Sequence, residues 1–420
     1  MSRLRHRPLP APPPVPVSAI ASGICLFISF PRSAAGEAPA TPATTTGVPA
    51  GSSRPGWFHR HAPEFFDDRD GWFDLGKKLD HPFGFFPLIV PVTEPAVGYG
   101  AAMVPLFINQ PQDPHARPDI WAAGAMATDN GSRAYFGGYS GYFDEDRWKI
   151  TAGAASASIN LDFHGLAGLT APGGDPLRYN LEMKGGILGA ERRIGKTPWR
   201  AGLRYLYGEV EPSLERSGDW RLVRDHDFEH RFGPFDLSDT VSSLQFSLSH
   251  DSRNNIFTPT EGLFSEIELT ANIPALGASD EYQILSWTGI WYHPVVRDRL
   301  FFGWRADMVQ SFGDVPFYRR PSVSLRGAPA QRYQGAGIAS TEAELRWQIH
   351  PRWSLLGFAG TGVTWPGESL FQEPGSTATG GLGFRYLIAR RQGIHFGIDA
   401  AYGEEGTAFY VQFGSGWFRP

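Results

Sequence analysis

The chain has 420 residues, a formal net charge of −5 and a pI near 6.2, so it lacks the basic excess with which proteins usually bind nucleic acid. Its mean hydropathy is −0.26, and beyond the N-terminal region no stretch has the roughly 18 apolar residues that a membrane-spanning helix needs. The 50 glycines and 35 prolines exceed the usual shares of about 7% and 5%. Nucleic acid is therefore not an expected partner, and short strands joined by turns are favoured over long helices.

Residues 1–35 have the features of a signal peptide. Three arginines precede an apolar run over residues 17–30, and Ser33-Ala34-Ala35 offers a small-residue cleavage site. A short buried helix is the alternative reading. The only cysteine, Cys25, lies inside the run, so the exported chain would have no disulfide to stabilise it. An exported, helix-poor chain without cysteine is typical of the bacterial outer membrane.

The segment over residues 342–349 shows the clearest alternation in the chain. One face carries Ala343, Leu345, Trp347 and Ile349, and the other carries Glu342, Glu344, Arg346 and Gln348. Strict alternation predicts a β-strand with one apolar and one charged side. A water-soluble sandwich would also bury one face, but charges of both signs opposite an apolar face with a tryptophan fit a strand between lipid and a polar lumen better.

Similar segments recur along the chain and are separated by turn signals such as Asp129-Asn130-Gly131. They predict strands near 97–108, 118–128, 132–142, 148–160, 178–194, 199–210, 240–251, 262–273, 281–292, 299–311, 337–349, 353–363, 377–387, 393–402 and 408–418. This number is odd, whereas closed bacterial barrels have an even number of strands. Residues 85–92 supply the missing strand, because their prolines are tolerated where a strand lacks a full partner.

The predicted fold class is therefore all-β: a transmembrane antiparallel β-barrel of about 16 strands with an inward-folded extracellular loop. We divide the chain into a signal peptide (1–35), a flexible linker with a short periplasmic leader (36–83) and the outer-membrane barrel (84–420). The linker is rich in alanine, proline and threonine. The leader mixes aromatic and charged residues over 57–83, and we expect it to pack near or into the mouth of the barrel.

The loop that is expected to fold inward lies over residues 322–335. It places two arginines, Arg326 and Arg332, among glycines and a proline, where the backbone can turn sharply. Glu342 and Glu344 follow directly on the next strand. We expect the loop to fold back onto that strand.

Three motifs, by their order and spacing along the chain, resemble the BamA/TamA superfamily of outer-membrane assembly proteins, also called bacterial surface antigens. Ser324-Leu325-Arg326-Gly327 is similar to the family's loop motif, and Glu344-Leu345-Arg346 is similar to the acidic strand motif that follows it. Asp251-Ser252-Arg253-Asn254-Asn255, together with residues 257–262, resembles the family's short periplasmic turn. The last strand also resembles the aromatic sorting signal of outer-membrane barrels, although two residues follow Phe418.

The resemblance implies two groups of functional residues. The loop motif and its lumen partners are Leu325, Arg326, Gly327, Arg332, Glu342, Glu344 and Arg346, and the periplasmic turn motif is Asp251, Arg253, Asn254, Pro259 and Gly262. Gly360 stands where the family usually has an aspartate. The loop should then rest on Glu344, with Glu342, from one strand only, and Gly360→Asp should tighten it.

The resemblance also implies a function. We expect a non-enzymatic role in insertion or translocation of protein, or of lipid, through a seam between the first and last strands. The alternative is a passive outer-membrane channel or a structural surface antigen. Expected partners are the lipid bilayer, lipopolysaccharide and client outer-membrane proteins. The sequence upstream of the barrel has no room for the family's periplasmic POTRA repeats, so partners that dock on those repeats are not expected.

Two groups of residues have side chains that occur in metal or catalytic sites. His226 and His230 lie among acidic residues, which suits a solvated loop near lipopolysaccharide-bound ions better than a tight metal site. His250-Asp251-Ser252 has the side chains of a hydrolase triad, but neighbours on a strand point to opposite sides and cannot converge on one atom. We therefore predict no enzyme activity, cofactor or metal.

Overall fold

The computed structural model describes residues 62–79, 85–94, 98–109, 119–163, 177–214, 238–328, 332–365, 375–404 and 406–417. Within these ranges the chain forms one antiparallel sheet of sixteen strands, ordered as in the sequence. In the same ranges, no helix combines the length and apolar character needed to cross a bilayer. The predicted signal peptide (1–35), Cys25, His226, His230 and Phe418 lie outside the described residues.

The sixteen strands are nearly all longer than those of an ordinary globular sheet. The first eight are β1 (Phe85–Glu94), β2 (Gly98–Asn109), β3 (Asp119–Thr128), β4 (Arg133–Phe143), β5 (Trp148–Phe163), β6 (Leu177–Arg193), β7 (Trp199–Leu214) and β8 (Asp239–Asp251). The second eight are β9 (Gly262–Asn272), β10 (Tyr282–Val296), β11 (Leu300–Gly313), β12 (Gly337–His350), β13 (Trp353–Trp365), β14 (Ser376–Ala389), β15 (Ile394–Gly403) and β16 (Gly406–Phe413).

Among the described residues, helical structure is confined to single turns. Three short 3₁₀ turns cover Pro63–Phe65, Pro274–Leu276 and Phe317–Arg319. The one α-helix, α1, covers Gly76–Leu79 in the described part of the leader.

The predicted all-β architecture of about 16 strands is confirmed, including residues 85–92 as the first strand. The two faces of β12 also follow the alternation. Leu345, Trp347 and Ile349 are exposed on the outer face, where lipid would cover them, whereas Glu342 and Arg346 are buried on the lumen side.

The predicted last strand is wrong at its end. It was expected over 408–418, but β16 ends at Phe413. Gly414 still donates its N–H to the carbonyl of His395 at 2.7 Å, but its φ of 85° turns the chain that follows away from the sheet. Trp417 is consequently buried inside the barrel.

The two ends of the barrel differ in the length of their connections. At the end where β1 begins, five of the seven connections are short, over 144–147, 194–198, 297–299, 351–352 and 390–393, and the other two cover 110–118 and 252–261. At the opposite end, the connections over 215–238 and 314–336 are much longer. Outer-membrane barrels place short turns on the periplasmic side and long loops outside. We call these the turn end and the loop end.

The first and last strands do not complete the ladder. β1 and β16 lie beside each other, but among the described residues no backbone pairing joins them, and the sheet order runs from β1 to β16 without a closing pair. We call this contact the seam.

Candidate functional site

The connection between β11 and β12 enters the barrel, as the sequence predicts. Its apolar residues Val323, Leu325 and Ala328 form a buried cluster with Ile338 of β12. Gly327 has a φ of 89°, and a Cβ there would lie 3.2 Å from the carbonyl oxygen of Tyr402, so the motif requires glycine at this position. We call residues 314–336 the inward loop.

Arg326 is the centre of the site. Only 6% of its side chain is exposed. Its Nε donates to Glu342 at 2.6 Å, and its Nη2 lies 2.9 Å from Glu344. The guanidinium also lies over the ring of Phe358, 3.7 Å from the centroid. A planar guanidinium suits this position because it can meet several carboxylates and one aromatic face at once.

The third carboxylate around Arg326 is Asp399 of β15. Its Oδ2 accepts a hydrogen bond from Arg326 Nη1 at 2.8 Å, and both of its oxygens also meet Arg385 of β14. The Asp399 side chain is fully buried, at 0% exposure. The expectation that the loop rests on β12 alone is therefore wrong, because β15, three strands further along the sheet, supplies another carboxylate.

The space at Gly360 is too small for an aspartate side chain. A Cβ on Gly360 would lie 2.9 Å from the carbonyl oxygen of Thr341 and 3.1 Å from Leu325. Leu325 thus occupies the space that a side chain at residue 360 would need.

The two other arginines of the predicted site, Arg346 and Arg332, differ in their burial. Arg346 is buried on the lumen face of β12, with its guanidinium 4.8 Å from the centroid of Phe301, and it lines a small cavity with Glu344 and Arg385. Arg332 is exposed. The structure thus brings Arg346 close to the Arg326 cluster and leaves Arg332 on the surface.

The segment after β16 meets the inward loop inside the lumen. Trp417 packs with Phe264, Ile290 and Tyr292, and the guanidinium of Arg326 lies 5.8 Å from its ring centroid. The N–H of Gly327 donates to the hydroxyl of Tyr410 in β16 at 3.0 Å. The inward loop therefore contacts the last strand, which borders the seam.

The predicted turn motif between β8 and β9 is closed by its own side chains. Asp251 binds the buried Arg253 through Nε at 2.9 Å and Nη2 at 3.0 Å. Asn254 accepts the N–H groups of Thr260 and Glu261. Asp251 thus holds Arg253 within the turn.

The same turn reaches across the turn end of the barrel. Pro259 is buried, and Gly262 has a φ of 109°, where a Cβ would lie 2.3 Å from the carbonyl oxygen of Ser252. The Asn255 side chain donates to the carbonyl of Gln392, in the connection between β14 and β15, at 2.9 Å. The N–H of Ser415 donates to the carbonyl of Phe257 at 2.6 Å. The turn motif is thus tied to the last two strands.

Residues 175–369 match the Omp85 superfamily domain, a range that includes both the turn motif and the inward loop. These residues form an Omp85 domain. Together with the barrel fold, the domain makes this chain an outer-membrane β-barrel protein. No curated protein matches the chain in sequence.

Solved Omp85-like barrels have the same fold at low identity. CdiB from Escherichia coli is 13% identical with a TM-score of 0.55, and the match covers 83% of this chain and 66% of that one. CdiB from Acinetobacter baumannii is 11% identical with a TM-score of 0.52, covering 80% and 66%. BamA from Haemophilus ducreyi lacking POTRA domains 1-3 is 14% identical with a TM-score of 0.50, covering 78% and 68%. The chain thus spans about two thirds of the length of these relatives.

The Omp85 domain match stops before the residues that complete the site. Asp399 and Arg385 lie beyond residue 369, and sequence reasoning missed both. The available signal was the alternation of β15, in which a lone aspartate stands on the lumen face between Gly397 and Ala401. A buried carboxylate of this kind needs a cation, and the loop arginine is the partner.

The charges of the cluster hold the loop of the Omp85 domain in one position. Glu342, Glu344 and Asp399 each lie within 3 Å of a guanidinium nitrogen of Arg326. Breaking such a buried pair by removing one partner typically costs about 3 to 5 kcal/mol, because the other charge is left uncompensated. The arrangement therefore favours a fixed plug in the lumen.

Proposed function

We propose that this chain promotes insertion or translocation of proteins, or of lipids, at the outer membrane without catalysing a covalent reaction. The Omp85 domain match and the BamA and CdiB barrels of similar fold support the proposal, but it is carried by one observation on this chain. The seam between β1 and β16 has no backbone ladder in the described residues, and β1 is built so that it cannot form a complete one.

The prolines of β1 face the seam. Tyr99 of β2 exchanges hydrogen bonds with Asp129, beyond the end of β3, so its main chain points to the β3 side of β2. Alternate residues of β2 share this direction, including Ala101 and Pro105. These two lie opposite Pro91 and Pro87 in a regular register. Where two opposed residues do not bond each other, their main-chain groups point away from each other. The main-chain groups of Pro87 and Pro91 therefore point toward β16.

A proline at a strand edge removes one N–H donor from the ladder. β1 therefore lacks donors at Pro87 and Pro91 on its seam side. Pro105 shows the effect within this barrel, because it points toward β3 and the pairing of β2 with β3 skips Val104 and Pro105. A seam formed by β1 is weakened in the same way at two positions.

An incompletely bonded seam supplies the mechanism. Opening it exposes the unpaired edges of β1 and β16, and an extended client strand can add to such an edge through main-chain hydrogen bonds. Exposed outer-face residues such as Ile89 and Phe409 lie on either side of the seam. The lipid bilayer would contact the seam through these apolar side chains. We also propose that lipopolysaccharide is a partner of the chain at the loop end.

A passive channel is less well supported. The inward loop passes through the lumen and is fixed to β12, β15 and β16 by the contacts of Arg326 and Gly327. A planar-bilayer recording distinguishes the two roles. We expect small, intermittent conductance, and large steady openings would favour the channel.

The test of the proposal is a disulfide across the seam. In a Cys25→Ser background, Ile89→Cys in β1 is combined in turn with Thr407→Cys, Phe409→Cys or Val411→Cys in β16. The readout is insertion of an unfolded outer-membrane barrel protein into liposomes that carry the variant. We expect oxidation of a seam pair to abolish insertion and reduction to restore it.

The matched control is a disulfide that does not cross the seam. Ile398 of β15 lies directly opposite Val411 of β16, so an Ile398→Cys/Val411→Cys disulfide joins two strands that are already paired. The control should insert the client protein normally. Full insertion by an oxidised seam pair would refute a seam-opening mechanism.

A further inference from the structure

The leader residues 62–79 surround a buried arginine of the barrel. The side chain of Arg352, in the turn between β12 and β13, is fully buried, at 0% exposure. Its Nη2 lies 2.7 Å from Asp67, its Nε 2.8 Å from Asp70 and its Nη1 2.5 Å from Asp74. One guanidinium thus binds three carboxylates from a single segment that lies more than 270 residues away in the sequence.

The same leader also binds the next turn. Arg390, between β14 and β15, contacts both Asp67 and Asp70. The N–H of Leu75 donates to the carbonyl of Ile388 at 2.7 Å. Leu75 is buried with Ala389 and Ile394, and the partly buried residues around them include Phe257 of the turn motif and Phe413 of β16. The leader is therefore attached by ion pairs, a backbone hydrogen bond and apolar packing.

These attachments lie on the other side of the seam from β1. The leader ends at Leu79, and β1 begins at Phe85. The six intervening Cα steps can span at most roughly 20 Å, at about 3.3–3.6 Å per residue. The turns that hold the leader belong to β12–β15, which precede β16 in the sheet. While the leader is attached, the start of β1 stays within this distance of Leu79, and α1 itself lies against β1.

We infer that residues 62–79 act as a latch that holds the seam closed at the turn end. The latch takes the place of the missing ladder between β1 and β16, with Asp67, Asp70 and Asp74 as its binding groups and Arg352 and Arg390 as their receptors. The effect of the latch on activity rests on the proposed seam opening. The existence of the latch can be tested separately, because the position of β1 relative to β16 can be measured without a client protein.

The experiment neutralises the latch from the leader side, which avoids removing a buried arginine from the barrel. The variant is Asp67→Asn/Asp70→Asn/Asp74→Asn in the full chain. The matched control is Asp68→Asn, because the Asp68 side chain is 86% exposed and pairs with Lys77 within the leader. Both are combined with the seam pair Ile89→Cys/Phe409→Cys, after heat-dependent gel migration has shown that each barrel is folded.

Two quantities are measured in detergent. Trypsin cleavage at Arg69, which is exposed in the leader, reports release of the leader, and the initial rate of disulfide formation reports closure of the seam. In the triple variant we expect at least fivefold faster cleavage and at least fivefold slower disulfide formation. The Asp68→Asn control should match the wild type in both.

Two results would overturn the latch. If the triple variant releases the leader but its seam cysteines oxidise at the wild-type rate, the leader does not hold the seam. If the leader stays protected from trypsin, the three carboxylates do not attach it. Neither result depends on whether the chain inserts proteins, so failure of the latch can be distinguished from failure of the proposed function.

Discussion

Arg326 and Asp399 are separated by 73 residues in the sequence, and their Nη1 and Oδ2 atoms lie 2.8 Å apart inside the barrel. Asp399 also binds Arg385, so the carboxylate joins the inward loop to β14 and β15. The loop is thereby fixed to two places on the wall of the lumen, through Glu342 and Glu344 on β12 and through Asp399 on β15.

Removal of either partner should release the loop. We expect Arg326→Ala to accelerate trypsin cleavage after the exposed Arg332, because three buried carboxylates lose their shared cation. Asp399→Asn should have a smaller effect, since Glu342 and Glu344 still hold Arg326. Limited proteolysis in detergent measures both, with circular dichroism to verify that strand content is retained. Equal protection of the loop in wild type and Arg326→Ala would show that these pairs do not hold it.

A new carboxylate at residue 360 should not strengthen the loop. The sequence alone suggests that Gly360→Asp would tighten it, but the Cβ would lie 3.1 Å from Leu325 and 3.2 Å from the Cβ of Glu342. The variant would therefore displace the loop and add a negative charge beside Glu342. We expect faster cleavage after Arg332 than in the wild type, and Gly360→Ala separates the steric part from the charge.

The sequence predicted features that depend on local pattern. Alternation located the strands, including β1 with its prolines, because the side-chain direction of a strand repeats every two residues. The inward loop and its contacts with Glu342 and Glu344 followed from their closeness in sequence. Asp399 and Arg352 could not be predicted in this way, because their partners lie in segments far away in the chain. Strand order places β15 near the seam, but only the folded lumen brings Asp399 to Arg326.

The Asn255 side chain should couple the turn motif to the last strands. It accepts the N–H groups of Phe257 and Thr258 at 2.8 Å and donates to the carbonyl of Gln392. We expect Asn255→Ala to lower the free energy of unfolding by roughly 1 to 3 kcal/mol, the cost of leaving buried polar groups unsatisfied, and a lower melting temperature is the measured result. The control is Asn254→Ala, which removes hydrogen bonds within the exposed part of the turn only. Equal destabilisation by both would indicate that the contact with Gln392 contributes nothing.

Restoring N–H donors to the seam side of β1 should strengthen the seam. In Pro87→Val/Pro91→Val both missing donors return, so we expect faster disulfide formation by the Ile89→Cys/Phe409→Cys pair and slower insertion of a client protein. Pro105→Val is the control, because it restores a donor toward β3 and not toward β16. Unchanged seam behaviour in the double variant, or the same change in Pro105→Val, would refute the role assigned to the seam prolines.

Attachment of the leader should depend on pH only in the acidic range. Partial burial alone would raise the pKa of Asp70, but the hydrogen bond from Arg352, the bond from the N–H of Trp72 and the charges of Arg352 and Arg390 lower it below its ordinary value of 3.8. Arg352 stays charged throughout, because its carboxylate partners raise its pKa further although burial opposes this. Asp67 and Asp74 face the same guanidinium, and the ring of His350 lies against Trp72 rather than against the carboxylates.

The direction of the effect follows from the lowered pKa. A carboxylate with a lower pKa in the folded state contributes stability above its unfolded pKa and loses it as the pH falls through the folded value. A spin label on Asp68→Cys, in the Cys25→Ser background, should therefore show an immobile leader from pH 8 to pH 5 and a growing mobile fraction below about pH 4. In Asp67→Asn/Asp70→Asn/Asp74→Asn the label should be mobile at every pH. A leader that stays immobile in the wild type down to pH 2 would show that attachment does not require ionised carboxylates, and apolar packing of Leu75 would then be the main contact.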